Sequence, residues 1–178
     1  MRILTVRQPW AWAIIHGGKD VENRVRNIAG DYHGPIAIHA AKANDVGAWR
    51  ALGRLNMFAY GAALDARESL IGGAIIGVVD LAESHPVETC IRQEHDGDWT
   101  VCSEWAERSG HHLVLANPRA LDQPVPWKGA LGLRRTNLDI IGDHLAERVD
   151  TCTCGQSGVW GPHEPACGYE PIARLVTP

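Results

Sequence analysis

The sequence predicts an α+β fold, with strands forming the core and helices flanking it. A strand, helix, glycine turn and second strand open the chain, a proline-free stretch of helical periodicity covers residues 44–70, and a β-branched run follows. The chain has 178 residues, of which 45% are hydrophobic and 21% are charged, as is typical of a globular core. We therefore expect one domain over residues 1–149 and a Cys/His-rich tail over residues 150–178.

The opening unit is predicted from composition and turn residues. Residues Arg2 to Arg7 favour a strand, and Gln8 to His16 favour a short helix with Pro9 in its first turn. Glycines 17 and 18 tolerate the backbone angles needed where a helix ends and a strand begins. A second strand over Lys19 to Arg24 then follows.

Residues 17–24, Gly-Gly-Lys-Asp-Val-Glu-Asn-Arg, form the most informative window of the chain. In a regular strand Lys19 and Glu22 point to opposite faces, so they meet only if the segment bends at the glycines. A Lys beside a carboxylate can polarise a carbonyl, hold a phosphate or take part in proton transfer. The alternatives are a buried ion pair that fixes the helix-to-strand corner, and a surface turn with solvated charges.

The remaining elements are predicted from periodicity and turn signals. In order, these are a turn and strand at residues 31–40, one or two helices at 44–70, a buried strand at 71–81, a polar excursion at 88–110, strands at 112–115 and 129–134 separated by the proline-rich segment 118–126, and a helix at 138–149.

Several of these segments, taken in order, resemble the activating-signal-cointegrator homology (ASCH) domain. They are Leu4 to Trp10, the G-x-K-x-x-E-x-R pattern at 17–24, Tyr32 to Pro35 with His39, His112 to Leu121, and Pro124 to Leu133. The resemblance spans residues 2–136. It implies a PUA-like β-barrel with flanking helices, similar to the PUA RNA-binding domain, and a ligand cleft lined by the 17–24 motif.

The resemblance implies binding of RNA or a nucleotide, with single-stranded RNA, a nucleotide or a nucleoside as the partner. Lys19, Glu22 and Arg24 are the candidate site residues by their position in the motif. Tyr32, His39, Trp10 and Trp127 add flat faces on which an unstacked base can lie, and burial in the core is the alternative for Trp10.

The alternative that the resemblance leaves open is a hydrolase acting on RNA or a modified nucleoside, ribonuclease-like or amidohydrolase-like, with Lys19 and Glu22 as catalytic residues. One ASCH branch hydrolyses N4-acetylcytidine with a Lys, a Thr nucleophile three residues later and a distant Glu. Here that third position is Glu22, which has no hydroxyl, so we expect little or no deacetylation. A protein-interaction adaptor that uses the tail is a third hypothesis.

Charge is unevenly distributed along the chain. The formal net charge is −4, yet residues 1–54 carry a net +4 and residues 55–178 a net −8. Because nucleic-acid affinity depends on the local patch, a basic face around Lys19, Arg24, Arg26 and Lys42 can still meet phosphates. Ordinary segregation of surface charge is the alternative interpretation.

The tail contains the pattern C-x-C-x8-H-x3-C, formed by Cys152, Cys154, His163 and Cys167. Three thiols and one imidazole are the ligand set of a structural zinc site, so we expect Zn²⁺ there. A set of free thiols in a Gly- and Pro-rich segment is the alternative. Cys90 and Cys102 lie outside this pattern and are expected to be inert buried thiols.

The expected compartment is the cytoplasm, without membrane contact. No apolar run approaches the ~20 residues that a transmembrane helix needs. The first residues lack the basic start and long apolar stretch of a signal peptide. Oligomeric state is not predicted by any of these patterns.

Overall fold

A computed structural model describes residues 1–141, 144–152 and 169–175. They fall into two compact units, residues 1–136 and the described residues after 136. The first unit contains strands β1 (Arg2–Gln8), β2 (Val21–Arg24), β3 (Gly34–Asn44), β4 (Ala74–Pro86), β5 (Arg92–Gln93), β6 (Trp99–Thr100), β7 (His111–Pro126) and β8 (Leu133–Arg135), helices α1 (Trp10–His16), α2 (Val46–Leu55) and α3 (Met57–Asp65), and 3-10 turns at Arg67–Ser69 and Val87–Thr89.

The core of the first unit is a six-stranded sheet with the order β2-β7-β4-β3-β1-β8. β1 and β3 are parallel, and the other neighbouring pairs are antiparallel. The mixed α+β class is confirmed. The prediction of a β-barrel is wrong in one respect, because no ladder within the described residues joins the edge strands β2 and β8 into a closed barrel. These edge strands have only four and three residues, which leaves little backbone for a closing ladder.

The prediction that the proline-rich segment 118–126 separates two strands is also wrong. This segment lies within β7, which runs continuously from His111 to Pro126. β2 pairs only with residues 111–114 of β7, while β4 pairs along nearly its whole length. Beyond Val114 one side of β7 has no strand partner in the described chain. Proline is tolerated there because its missing N–H removes no ladder bond.

α1 packs against the sheet through small and aliphatic side chains, and α2 and α3 pack against each other. α1 buries Ala11, Ala13, Ile14 and Ile15, of which Ile14 and Ile15 join the main core with Leu4. Asp45 and Asn56 cap α2 and α3 by accepting backbone N–H bonds from Ala48 and Ala59. The predicted helices at 44–70 are therefore present as two.

The second unit contains β9 (Leu138–Ile141), β10 (His144–Cys152) and β11 (Tyr169–Leu175), which form an antiparallel sheet in the order β11-β10-β9. The predicted helix at 138–149 is wrong, since residues 138–141 and 144–149 lie in β9 and β10. Ile141 pairs with His144 across these two antiparallel strands. No helix in the described part of the chain is long and apolar enough to cross a membrane.

Candidate functional site

A cleft of about 1070 Å³ opens on the first unit. Its walls come from the end of β1, the start of α1, β2, the end of β3 and the connection between β7 and β8. The lining residues include Thr5, Arg7, Trp10, Glu22, Arg24, His39, Lys42, Asp45, Gly73, Trp127, Lys128 and Gly129.

The cleft is basic, although the chain as a whole is acidic. Its lining carries four cations, Arg7, Arg24, Lys42 and Lys128, and two carboxylates, Glu22 and Asp45. The lysines and Arg7 are exposed. Arg7 Nη1 lies 3.7 Å from Asp45 Oδ2, a solvated pair that leaves the guanidinium accessible. Local charge therefore favours an anionic ligand.

Glu22 lies between two cations at the edge of the cleft. Its Oε2 is 3.6 Å from Lys19 Nζ and its Oε1 is 3.0 Å from Arg24 Nη2. The expected bend that brings Lys19 to Glu22 is present, because Gly18 has a φ of 74° and redirects the chain between α1 and β2. The two cations hold both Glu22 carboxylate oxygens in fixed directions.

Lys19 is buried behind Glu22 and is not among the cleft-lining residues. Its Nζ donates to the Val21 carbonyl and lies 5.5 Å from the Trp10 ring and 5.8 Å from the Trp105 ring. Burial lowers the pKa of Lys19, although the nearby Glu22 carboxylate opposes the shift. Lys19 therefore contacts Glu22 and does not itself line the cleft.

Arg24 connects the edge strand β2 to the cleft floor. Its Nη2 donates to the Thr5 carbonyl at 3.2 Å, so β2 lies near β1 although four ladders separate the two strands along the sheet. Its Nε is buried and has no hydrogen-bond partner among the described residues. The sheet is curled, and the cleft lies inside the curl.

His39 and Trp127 form the opposite wall. His39 Nε2 donates to the Trp127 carbonyl at 3.0 Å, which leaves Nδ1 as an acceptor without a partner in the described chain. Burial lowers the pKa of His39, against the opposing effect of that hydrogen bond, so the ring is neutral near pH 7. A Cβ at Gly129 would meet His39 Cε1 at 2.6 Å, so glycine is required for this close passage.

The structure brings together Glu22, Arg24, His39 and Trp127 from the predicted site residues, with Lys19 behind them. Tyr32 lies elsewhere: its hydroxyl donates to the Pro35 carbonyl at 2.8 Å, and its ring lies 4.2 Å from the Arg2 guanidinium. Arg26 is exposed outside the cleft lining.

Sequence reasoning did not find Thr5, Arg7 and Lys128 as lining residues. Arg7 lies inside the Leu4 to Trp10 run, and Lys128 directly follows Trp127. Their positions beside predicted site segments were a signal in the sequence. Only the curl of the sheet, however, brings these residues together.

A second cluster of functional side chains lies outside the cleft. His85, Cys90, Cys102 and His112 each offer one ligand atom, and these atoms all lie within 4.8 Å of one another. Two thiols and two imidazoles can bind a metal ion. By contrast, Cys154, His163 and Cys167 lie outside the described residues, and of Cys152 only the backbone, at the end of β10, is described.

A protein-family model described as the ASCH domain matches residues 4–125, more than half of the chain. The matched range contains most of β1, all of β2 to β4, the Lys19–Glu22–Arg24 group and most of β7. It also contains the four residues of the His/Cys cluster.

Proposed function

We propose that this chain, which belongs to the ASCH domain family, binds single-stranded RNA or a nucleotide in the cleft described above. One observation carries the proposal: in an acidic protein, the cleft gathers four cations around two tryptophans and a fixed carboxylate. Family membership suggests RNA binding, and the cleft supplies groups for each part of a nucleotide.

Phosphate binding is assigned to Arg7, Lys42 and Lys128, which are exposed around the cleft. The stem of Lys42 packs over Gly73, where an added Cβ would meet its Cε at 2.7 Å, so its reach into the cleft is directed. Each phosphate neutralised by such a cation releases counterions, which makes the affinity depend on salt.

Base binding is assigned to Trp10 and Trp127, which line the cleft and are half-buried. Half-buried indoles keep part of a π-face accessible, and stacking of one base on an aromatic side chain contributes about 1–3 kcal/mol. Stacking does not select among bases. Specificity therefore requires a polar group beside the stacked ring.

Glu22 is the group that we assign to this selection. Its oxygens are held by Lys19 and Arg24, and carboxylates accept hydrogen bonds from exocyclic amino groups such as cytosine N4. We therefore propose a preference for a base that presents an amino group over one that presents a carbonyl at the same edge.

Hydrolysis by Lys19 and Glu22 is the second candidate, supported by their proximity at the cleft edge. The contacts favour binding instead, because Lys19 is 5% exposed and both Glu22 oxygens already face cations. We expect no acetate release from N4-acetylcytidine and no cleavage of unstructured RNA. Turnover that is abolished by Glu22→Gln would establish the hydrolase instead.

For the tail we propose one Zn²⁺ on Cys152, Cys154, His163 and Cys167, supported by the ligand types and their spacing. A cytoplasmic location goes with this proposal, because reducing conditions keep thiols available to a metal. A variant with Cys152, Cys154 and Cys167 changed to Ser should contain one equivalent of zinc less than the unmodified chain on metal analysis. Unchanged zinc content would refute the tail site.

Titration of a labelled single-stranded RNA tests the binding proposal. Lys42→Ala and Lys128→Ala should each weaken binding about 3- to 10-fold at low salt and lower the slope of log affinity against log salt by about one. Arg92→Ala is the matched control, since it removes an exposed cation from β5 outside the cleft. Equal losses in all three variants would show that binding follows total charge and not the cleft.

A further inference from the structure

We infer that His85, Cys90, Cys102 and His112 form a structural Zn²⁺ site that anchors the polar excursion between β4 and β7. The inference of this site rests neither on the cleft proposal nor on the tail cysteines. In the sequence its pattern is H-x4-C-x11-C-x9-H.

Two separations among the ligand atoms are close to those of a tetrahedral zinc site. Cys90 Sγ and Cys102 Sγ each lie 3.4 Å from His112 Nδ1, and the four ligand atoms lie within 4.8 Å of one another. Zinc bound at ~2.3 Å to sulfur and ~2.0 Å to nitrogen places such S and N atoms ~3.6 Å apart. Small side-chain adjustments therefore bring all four atoms onto one ion.

The orientation of His112 is that of a metal ligand. Its Nε2–H donates to the Glu107 carbonyl at 2.8 Å, so Nδ1 carries the lone pair and faces both sulfur atoms. A backbone carbonyl on the far nitrogen is the usual partner of a zinc-binding histidine. The hydrogen bond fixes both the tautomer and the plane of the ring.

His85 is buried, and neither of its ring nitrogens makes a hydrogen bond within the described residues, although Nδ1 lies 2.9 Å from Glu83 Oε1. A buried imidazole without a hydrogen bond is costly, and a metal ion on the ring would supply a partner.

The register of the sheet brings the ligands together. His85 on β4 is paired with His112 on β7, and their ring centroids are 5.5 Å apart. Cys90 precedes the β5–β6 hairpin and Cys102 follows it. One ion would thus join both ends of the hairpin to the sheet.

Residues 88–104 of the excursion have no apolar core that would hold them in place, and the buried Trp105 anchors only the end of the excursion. None of residues 88–104 is buried, and β5 and β6 share only two residue pairs. A segment of this kind gains order from a metal, because binding free energy becomes folding free energy. This need explains why four soft ligands occur at this position.

The chemistry of the ligands favours zinc over ions that prefer oxygen ligands. Mg²⁺ and Ca²⁺ prefer oxygen, whereas two thiolates and two imidazoles are a structural zinc set. Zn²⁺ displaces two thiol protons to solvent and leaves the site neutral.

Cobalt substitution in the full chain tests the site. The variant with Cys152, Cys154 and Cys167 changed to Ser leaves Cys90 and Cys102 as its only thiols. After reduction and chelation it should bind one equivalent of Co²⁺, with tetrahedral bands and charge transfer from two thiolates, and one equivalent of Zn²⁺ should displace the cobalt. Adding Cys90→Ser should abolish the two-thiolate spectrum. A reduced, folded variant that binds less than a tenth of an equivalent would overturn the proposal.

Hydrogen exchange on the unmodified chain gives a second measurement that needs no substitution. Amides of residues 88–104 should exchange at least tenfold faster after zinc is removed with a chelator, while those of β3 remain unchanged. Equal exchange in residues 88–104 with and without zinc would overturn the site even if all variants failed to fold. A change confined to residues 144–152 and 169–175 would assign zinc to the tail alone and likewise overturn it.

Discussion

At the residue scale, the group of Lys19, Glu22 and Arg24 is asymmetric. Glu22 has two cations within 4 Å, whereas Lys19 has Glu22 as its one carboxylate within that distance among the described residues. Lys19 is also the more deeply buried of the two cations. Loss of Glu22 therefore leaves a buried charge unpaired, and loss of Lys19 does not.

The first prediction compares Glu22→Gln with Lys19→Met. The Gln variant should lower the free energy of unfolding by about 3 kcal/mol, because the Lys19 ammonium loses its carboxylate. The Met variant should lower it by about 1 kcal/mol, since the apolar chain still packs between Trp10 and Trp105. Urea unfolding measures both values. A larger loss for Lys19→Met would show that the pair is not organised around Glu22.

The second prediction concerns pH. The pKa of Lys19 is lowered from its ordinary value of 10.5 in the folded chain, so between the two values the unfolded chain binds more protons. The unfolding free energy contributed by Lys19 should therefore rise as pH increases through that interval. Unfolding of wild type and Lys19→Met at several pH values from 7 to 10 measures this contribution. The unfolding free energy of the wild type should rise with pH relative to that of the variant. A fall relative to the variant would contradict the predicted sign.

At the scale of elements, the strands that carry the cleft were predictable from the sequence. The curl of the sheet that they form was not. Strand-favouring residues and turn glycines predict β1, β2 and β3, because these signals lie within each segment. The β7 strand was misjudged because its prolines are tolerated on the side of the strand that no neighbour pairs with, and the sequence does not show that this side is free. The 138–149 segment fits helical spacing equally well, and only pairing between β9 and β10 decides it. The His/Cys cluster depends on the register of His85 with His112, which sequence spacing does not reveal.

The third prediction tests the close approach of β4 and β7. A Cβ at Gly77 would lie 2.6 Å from the Arg119 carbonyl oxygen and 2.6 Å from Ile15 Cδ1. Gly77→Ala should therefore lower the unfolding free energy by about 2–3 kcal/mol. Gly61→Ala is the matched control, because its Cβ meets nothing within 4 Å on α3, and it should raise stability by about 0.5–1 kcal/mol. Similar effects of both variants in thermal melts would contradict this account of sheet packing.

At the scale of the first unit, the cleft and the excursion are physically connected. Trp105 is buried over Lys19, its carbonyl accepts from Asn23 Nδ2 at 2.8 Å, and Asn23 Oδ1 accepts from the Glu107 N–H at 2.9 Å. The segment that ends the excursion thus supports the residues that hold Glu22. Order in the excursion and shape of the cleft are expected to depend on each other.

The central claim is that a base and its phosphate bind in this cleft, and NMR of the isotope-labelled full chain titrated with cytidine monophosphate tests it most directly. We predict the largest shift changes at the indole N–H groups of Trp10 and Trp127 and at the His39 ring, with little change at Trp99 in the excursion. Glu22→Gln should weaken the response at least fivefold. Saturable shifts confined to Trp99 and the α2–α3 surface, with Trp10, His39 and Trp127 unchanged, would contradict the claim.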